Sequence, residues 1–174
     1  CETPFARTLL QVRHPLRVAE SLSVKFCEGL DSEPHAHLRA FLRALWPGHP
    51  WDALGCAATA AWYWTLYNEA MLAAHRAGTI HSWYRVEQSS ACAVAQEAGF
   101  LATDTAIDPG TQQRASAACG VKLDAPPAGR TRKNQVNKGR LNLTLVDVVQ
   151  AADGAGKDLE ARMQRLAKEF GYEL

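Results

Sequence analysis

Long apolar runs are absent from this sequence. None approaches the roughly twenty residues of a membrane-spanning helix, so the 174 residues contain no candidate span. Excess charge of one sign is also missing. Nineteen Lys and Arg stand against 18 Asp and Glu, a net +1, which excludes a general attraction to nucleic acid or to an anionic membrane. Five cysteines, Cys1, Cys27, Cys56, Cys92 and Cys119, show neither CxxC nor Cys/His metal spacing. Four of them sit among Ala, Val or Phe and read as small buried hydrophobes. His35, His37 and His49 lack Cys or carboxylate partners at ligand spacing and read as solvent-facing loop histidines rather than metal ligands. There is no internal repeat. Cys1-Glu-Thr-Pro offers neither an initiator Met nor an apolar signal core, so the chain is expected to be cut from a longer protein, with any targeting segment upstream. The compartment stays open, with cytoplasm and Golgi lumen both compatible.

What is present begins with residues 7–23. Thr8 to Val12 reads as a strand covered on both faces in a parallel sheet. Pro15 suits the first turn of a helix, and Leu16, Ala19, Leu22 and Phe26 recur at helical spacing up to a stop near Gly29. Arg13 stands at the strand end and Ser21 about two turns into the helix. In open α/β sheets the strand end is where ligands bind. A guanidinium, free N–H groups at a helix start and a hydroxyl together suit a phosphate. The bland alternative has Arg13 paired with a carboxylate such as Glu87, and Ser21 bonded to its own helix backbone.

Farther along, Asp31-Ser-Glu-Pro reads as loop and His37 to Trp46 as a helix with Leu38, Phe41, Leu42 and Leu45 on one face. Ala53 to Arg76 is the longest apolar helix, and Gly78 stops it. Thr79 to Val86 holds a second strand, which the intervening helices make parallel to the first. Ser89 or Ser90 caps a helix that ends at Gly99-Phe100. Residues 104–140 form a loop-rich insertion, with Thr111 to Cys119 as a short helix. Residues 130–140 carry five cationic side chains in eleven. They are a solvated loop or a lid that closes on a phosphate. Thr144 and Asp147 stand at capping-box spacing, and Leu159, Met163, Leu166 and Phe170 form the stripe of a last helix that Gly171 ends, with Tyr172 folded back on Leu166.

Val12-Arg13-His14-Pro15 followed by Ser21 resembles the 3′-phosphate-binding segment of the sulfotransferase family. Trp62-x4-Tyr67-Asn68 resembles the helix that follows it. Tyr84-Arg85-Val86-Glu87 resembles a Y-R-x-E-D-L element, with Gln88-Ser89 replacing Asp-Leu. Asn137 to Leu145 and the Phe170-Gly171-Tyr172 ending are similar to late family segments. The likeness covers most of residues 7–100 and, more loosely, 134–174. It implies a single α/β domain over 1–174, a P-loop NTPase-like three-layer parallel sheet with flanking helices, incomplete at its N-terminus and helix-rich. It also implies transfer of a sulfuryl group from 3′-phosphoadenylyl sulfate to a hydroxyl or amine of a small molecule, carbohydrate or protein. Arg13 and Ser21 would hold the 3′-phosphate of that nucleotide or of its product, adenosine 3′,5′-bisphosphate, with Lys138, Gly139 and Arg140 covering it. The family's 5′-phosphosulfate loop and its catalytic base have no counterpart here, so the catalytic residue stays unassigned and this segment alone is expected to be inactive. Two alternatives remain open. One is a piece of another P-loop fold such as a small-molecule kinase, with a Walker motif upstream. The other is a non-catalytic domain whose helices at Ala53 to Arg76 and Lys157 to Phe170 bind a partner protein.

Overall fold

The computed structural model describes residues 7–27, 33–99 and 142–174, with positions 110, 113, 114, 117 and 119 between. Strand β1 (Leu9–Val12) leads into α1 (Pro15–Cys27). Helices α2 (Glu33–Leu45) and α3 (Cys56–Arg76) follow, separated by a 3-10 turn at Trp51–Ala53. Then come β2 (Ser82–Arg85) and α4 (Ala91–Glu97), and later in the chain α5 (Leu145–Gln150) and α6 (Gly156–Glu169). Among the described residues the architecture is helix-rich α/β with a two-stranded parallel sheet.

The chain divides into two compact units. The first holds β1, the end of α3 from Met71, β2 and α4. The strands pair in parallel with Leu9 opposite Ser82 and Val12 opposite Arg85. Backbone bonds from His81 to Thr8 O (2.9 Å) and from Val86 to Val12 O (3.0 Å) extend the ladder by one residue at each end. Leu10 and Val12 are buried while Gln11 between them is exposed and accepts a hydrogen bond from the Tyr84 hydroxyl at 2.8 Å. The expectation of a strand covered on both faces is therefore corrected. Side chains alternate across a strand, and here one face is buried and the other carries an amide to a tyrosine.

The cysteine reading also changes. Cys92 on α4 is disulfide-bonded to Cys119, and Cys56 is disulfide-bonded as well. The apolar neighbours that suggested inert core thiols are equally compatible with a disulfide, and a separation of 27 residues leaves no local signal.

The second unit holds α1, α2, α3 as far as Ala70, α5 and α6. Its core gathers Leu42, Trp51, Trp62, Leu159 and Met163 around a run of small residues on α3, Ala58, Ala60 and Ala61. These alanines leave room for neighbouring helices to come close. A backbone bond from Gly55 to Ala151 O at 2.9 Å joins the start of α3 to the end of α5. At Gly156 a Cβ would meet Val149 O at 2.6 Å, so only glycine fits this start of α6. Helix α2 starts earlier than the pattern suggested. Glu33 and Pro34 belong to its first turn, where proline loses no helical bond. Its predicted apolar face splits: Leu38 and Leu42 are buried, Phe41 and Leu45 exposed. Between α3 and α6, Arg162 donates to Glu69 and to Asp158, and Arg165 donates to Glu69 at 2.7 Å. The Arg162 guanidinium also lies 4.9 Å over the Trp62 ring.

Candidate functional site

The turn between β1 and α1 is two residues long, Arg13 and His14. Pro15 opens the helix with its φ preset and no N–H to satisfy. The first helical bond runs from Val18 N–H to His14 O at 3.1 Å. Ahead of that ladder, Arg13 O accepts the indole N–H of Trp64 at 3.0 Å. Trp64 comes from α3, is 3% exposed, and meets Phe170 edge-on with ring centres 6.4 Å apart. His14 packs edge-on against Tyr172 at 5.2 Å, and its Nε2 lies 3.2 Å from Glu173 O. Tyr172 is buried against His14, the neighbour the sequence pattern did not supply.

Beyond the turn, α1 forms one wall of a cleft of about 390 Å³ lined by His14, Leu16, Arg17, Glu20, Asn142 and Leu143. Arg17 is exposed and presents a cation. Glu20 is only 7% exposed, and its carboxylate accepts the backbone N–H of Asn142 at 3.1 Å. Asn142 makes that approach from a left-handed backbone, φ 48°, a conformation asparagine tolerates better than most residues. Two residues on, Thr144 caps α5 in the predicted capping box. Its oxygen accepts from Asp147 N–H at 3.2 Å, and Asp147 accepts from Thr144 N–H at 2.8 Å. The Thr144 hydroxyl, with its backbone N–H second, holds the Asp147 carboxyl below its ordinary pKa.

Arg13 has an exposed side chain and Ser21 is half-buried. Neither is among the described residues lining the cleft, although the turn and helix they belong to build its wall. Lys138, Gly139 and Arg140 lie outside the described residues. Arg17 was legible in principle, since Arg17 and Ser21 are four residues apart and so share one face of α1. Nothing in the local sequence points to Asn142 or Trp64. His49, read as a solvent-facing loop residue, is instead half-buried with its ring 4.3 Å from both Trp51 and Trp62. Its pKa falls below 6.5 through burial first and the nearby Arg162 second, against an opposing pull from Asp158. In the first unit a smaller cleft of about 290 Å³ is lined by residues including Trp83, Arg85, Ser89 and Glu97. Among the described residues no three His, Cys, Asp or Glu side chains gather as a metal site.

Compared with models of known protein families, with curated proteins and with solved structures, the chain matches none.

Proposed function

We propose that this chain is the nucleotide-holding part of a sulfotransferase that uses 3′-phosphoadenylyl sulfate. One observation carries the reading: β1 ends at Val12 and α1 begins at Pro15, so that Arg13 and His14 make up the strand-to-helix turn and Ser21 follows on that helix. The resemblance of this segment to the family's 3′-phosphate site assigns the phosphate to those two side chains. A guanidinium binds phosphate through two parallel charge-assisted bonds, and a serine hydroxyl adds a third donor. The basic segment Lys138-Gly139-Arg140 covers the nucleotide in this reading, and β1 and β2 belong to a larger P-loop-like three-layer sheet. Arg17, one turn from Ser21, adds positive potential beside them.

Sulfuryl transfer spreads negative charge over the transferred oxygens and requires the acceptor oxygen or nitrogen in line with the leaving phosphate. A general base removes the acceptor's proton. Arg13 and Ser21 act at the far end of the donor. They fix its position and leave the chemistry to groups beyond these residues.

Calorimetric titration tests the assignment. Adenosine 3′,5′-bisphosphate is expected to bind more tightly than 5′-AMP. Arg13→Ala should weaken it by about ten- to hundred-fold, the loss of one charged hydrogen-bonded contact, and leave 5′-AMP unchanged. Equal binding of the two nucleotides by the folded protein would remove Arg13 and Ser21 from the site. That outcome favours the non-catalytic domain whose helices at Ala53 to Arg76 and Lys157 to Phe170 bind a partner protein.

A further inference from the structure

We infer that Trp64 is a positioning residue for Arg13, setting the direction of its guanidinium through the backbone. The inference rests on the reading that Arg13 holds a nucleotide 3′-phosphate.

An indole has a single donor. Here it is directed at Arg13 O, 3.0 Å away, from a ring that is 3% exposed. Arg13 O precedes the α1 ladder, whose first bond is accepted by His14 O. The donor is itself fixed. Trp64 sits within α3 and meets the fully buried Phe170 edge-on, the interplanar angle being 81°. Phe170 in turn closes α6, with its N–H on Leu166 O at 3.0 Å. At Gly171 the backbone turns left-handed, φ 74°, and Tyr172 N–H returns to Ala167 O at 2.8 Å. That turn delivers Tyr172 and Glu173 O to the His14 ring. Both residues of the phosphate-facing turn are thereby gripped, Arg13 at its carbonyl by α3 and His14 at its ring by the chain after α6.

The consequence is preorganisation. A long cationic side chain loses rotamer freedom on binding, and a backbone that also wandered would add to that loss. Bidentate recognition tolerates little misdirection. Trp64 therefore contributes to 3′-phosphate affinity without touching the nucleotide.

The test is a double-mutant cycle in the full chain, read by titration with adenosine 3′,5′-bisphosphate and with 5′-AMP. Trp64→Phe removes the N–H and keeps a ring against Phe170. It is expected to weaken the bisphosphate by about five- to ten-fold and to leave 5′-AMP unchanged. Arg13→Ala with Trp64→Phe should bind no more weakly than Arg13→Ala alone, because Trp64 acts through Arg13. Wild-type affinity in Trp64→Phe, or losses that multiply in the double variant, overturns the positioning role while leaving the Arg13 site standing. Absence of any preference for the 3′-phosphate in the wild type overturns the site and the positioning role together. Should Trp64→Phe fail to fold, Phe170→Leu loosens the same indole and carries the same cycle with a smaller loss.

Discussion

The two units differ in how their aromatic residues are used. In the helical unit Trp51 and Trp62 are fully buried, packed among Leu42, Leu159 and Met163. In the sheet unit Trp83 and Tyr84 lie on β2, where every residue is half-buried. The first arrangement removes whole side chains from water and ties tertiary structure to their volume. The second leaves each ring partly wet, so that a polar handle, the Tyr84 hydroxyl on Gln11, accompanies the apolar surface. Stability is therefore expected to concentrate in the helical unit.

Truncating one tryptophan in each unit tests this difference with the largest expected effect. Trp62→Ala opens a cavity in a closed core and also removes the ring under Arg162 and beside His49. It should cost about 3–5 kcal/mol. Trp83→Ala, at a half-buried position, should cost about 1–2 kcal/mol. Urea unfolding of the two variants measures both, and equal losses would refute the contrast. Gly156→Ala comes next. The added methyl meets a backbone oxygen rather than a flexible side chain, so α5 and α6 must move apart. A loss of about 1–3 kcal/mol is expected in the same assay, and an unchanged midpoint would show that the approach of Val149 O is not constraining.

How much of this was readable beforehand depends on how local its cause is. Ser90 caps α4 through Ala93 N–H, and Thr144 with Asp147 closes the predicted box, because a cap is decided within four residues. Pro15 and the strand before it are local as well. The phosphate-site proposal shares that character, since Arg13 and Ser21 are eight residues apart in one segment. Its neighbours do not. Asn142 meets Glu20 across 122 positions, and Trp64 meets Arg13 across 51. The same cause explains the misreadings. His49 is surrounded by Trp62 from α3 and is influenced by Arg162 from α6, and Cys92 finds Cys119, all outside any local window. Phe41 and Leu45 follow the helical period of α2 as well as Leu38 and Leu42 do, but periodicity cannot say which part of an apolar face a neighbour will cover.

His49 supplies the smallest effect and a separate probe of the helical core. Its Nε2 is buried with no hydrogen-bond partner among the described residues, and the groups facing it are the rings of Trp51 and Trp62 together with Arg162 and Asp158 of α6. Burial and the Arg162 cation outweigh Asp158, so the folded-state pKa lies below 6.5. The unfolded chain then binds the proton more readily than the folded one. His49 consequently contributes its full stability above about pH 6.5, and that contribution is lost as the pH falls toward and through the lowered folded value. Unfolding midpoints followed from about pH 7.5 down to about pH 5 should fall in the wild type more than in His49→Phe, which keeps a ring between the two tryptophans and cannot take up a proton. Carboxylates elsewhere titrate in both proteins and cancel in the difference. Parallel profiles would mean that protonated His49 is accommodated where it stands, and that the aromatic core around Trp62 is more open to water than its burial implies.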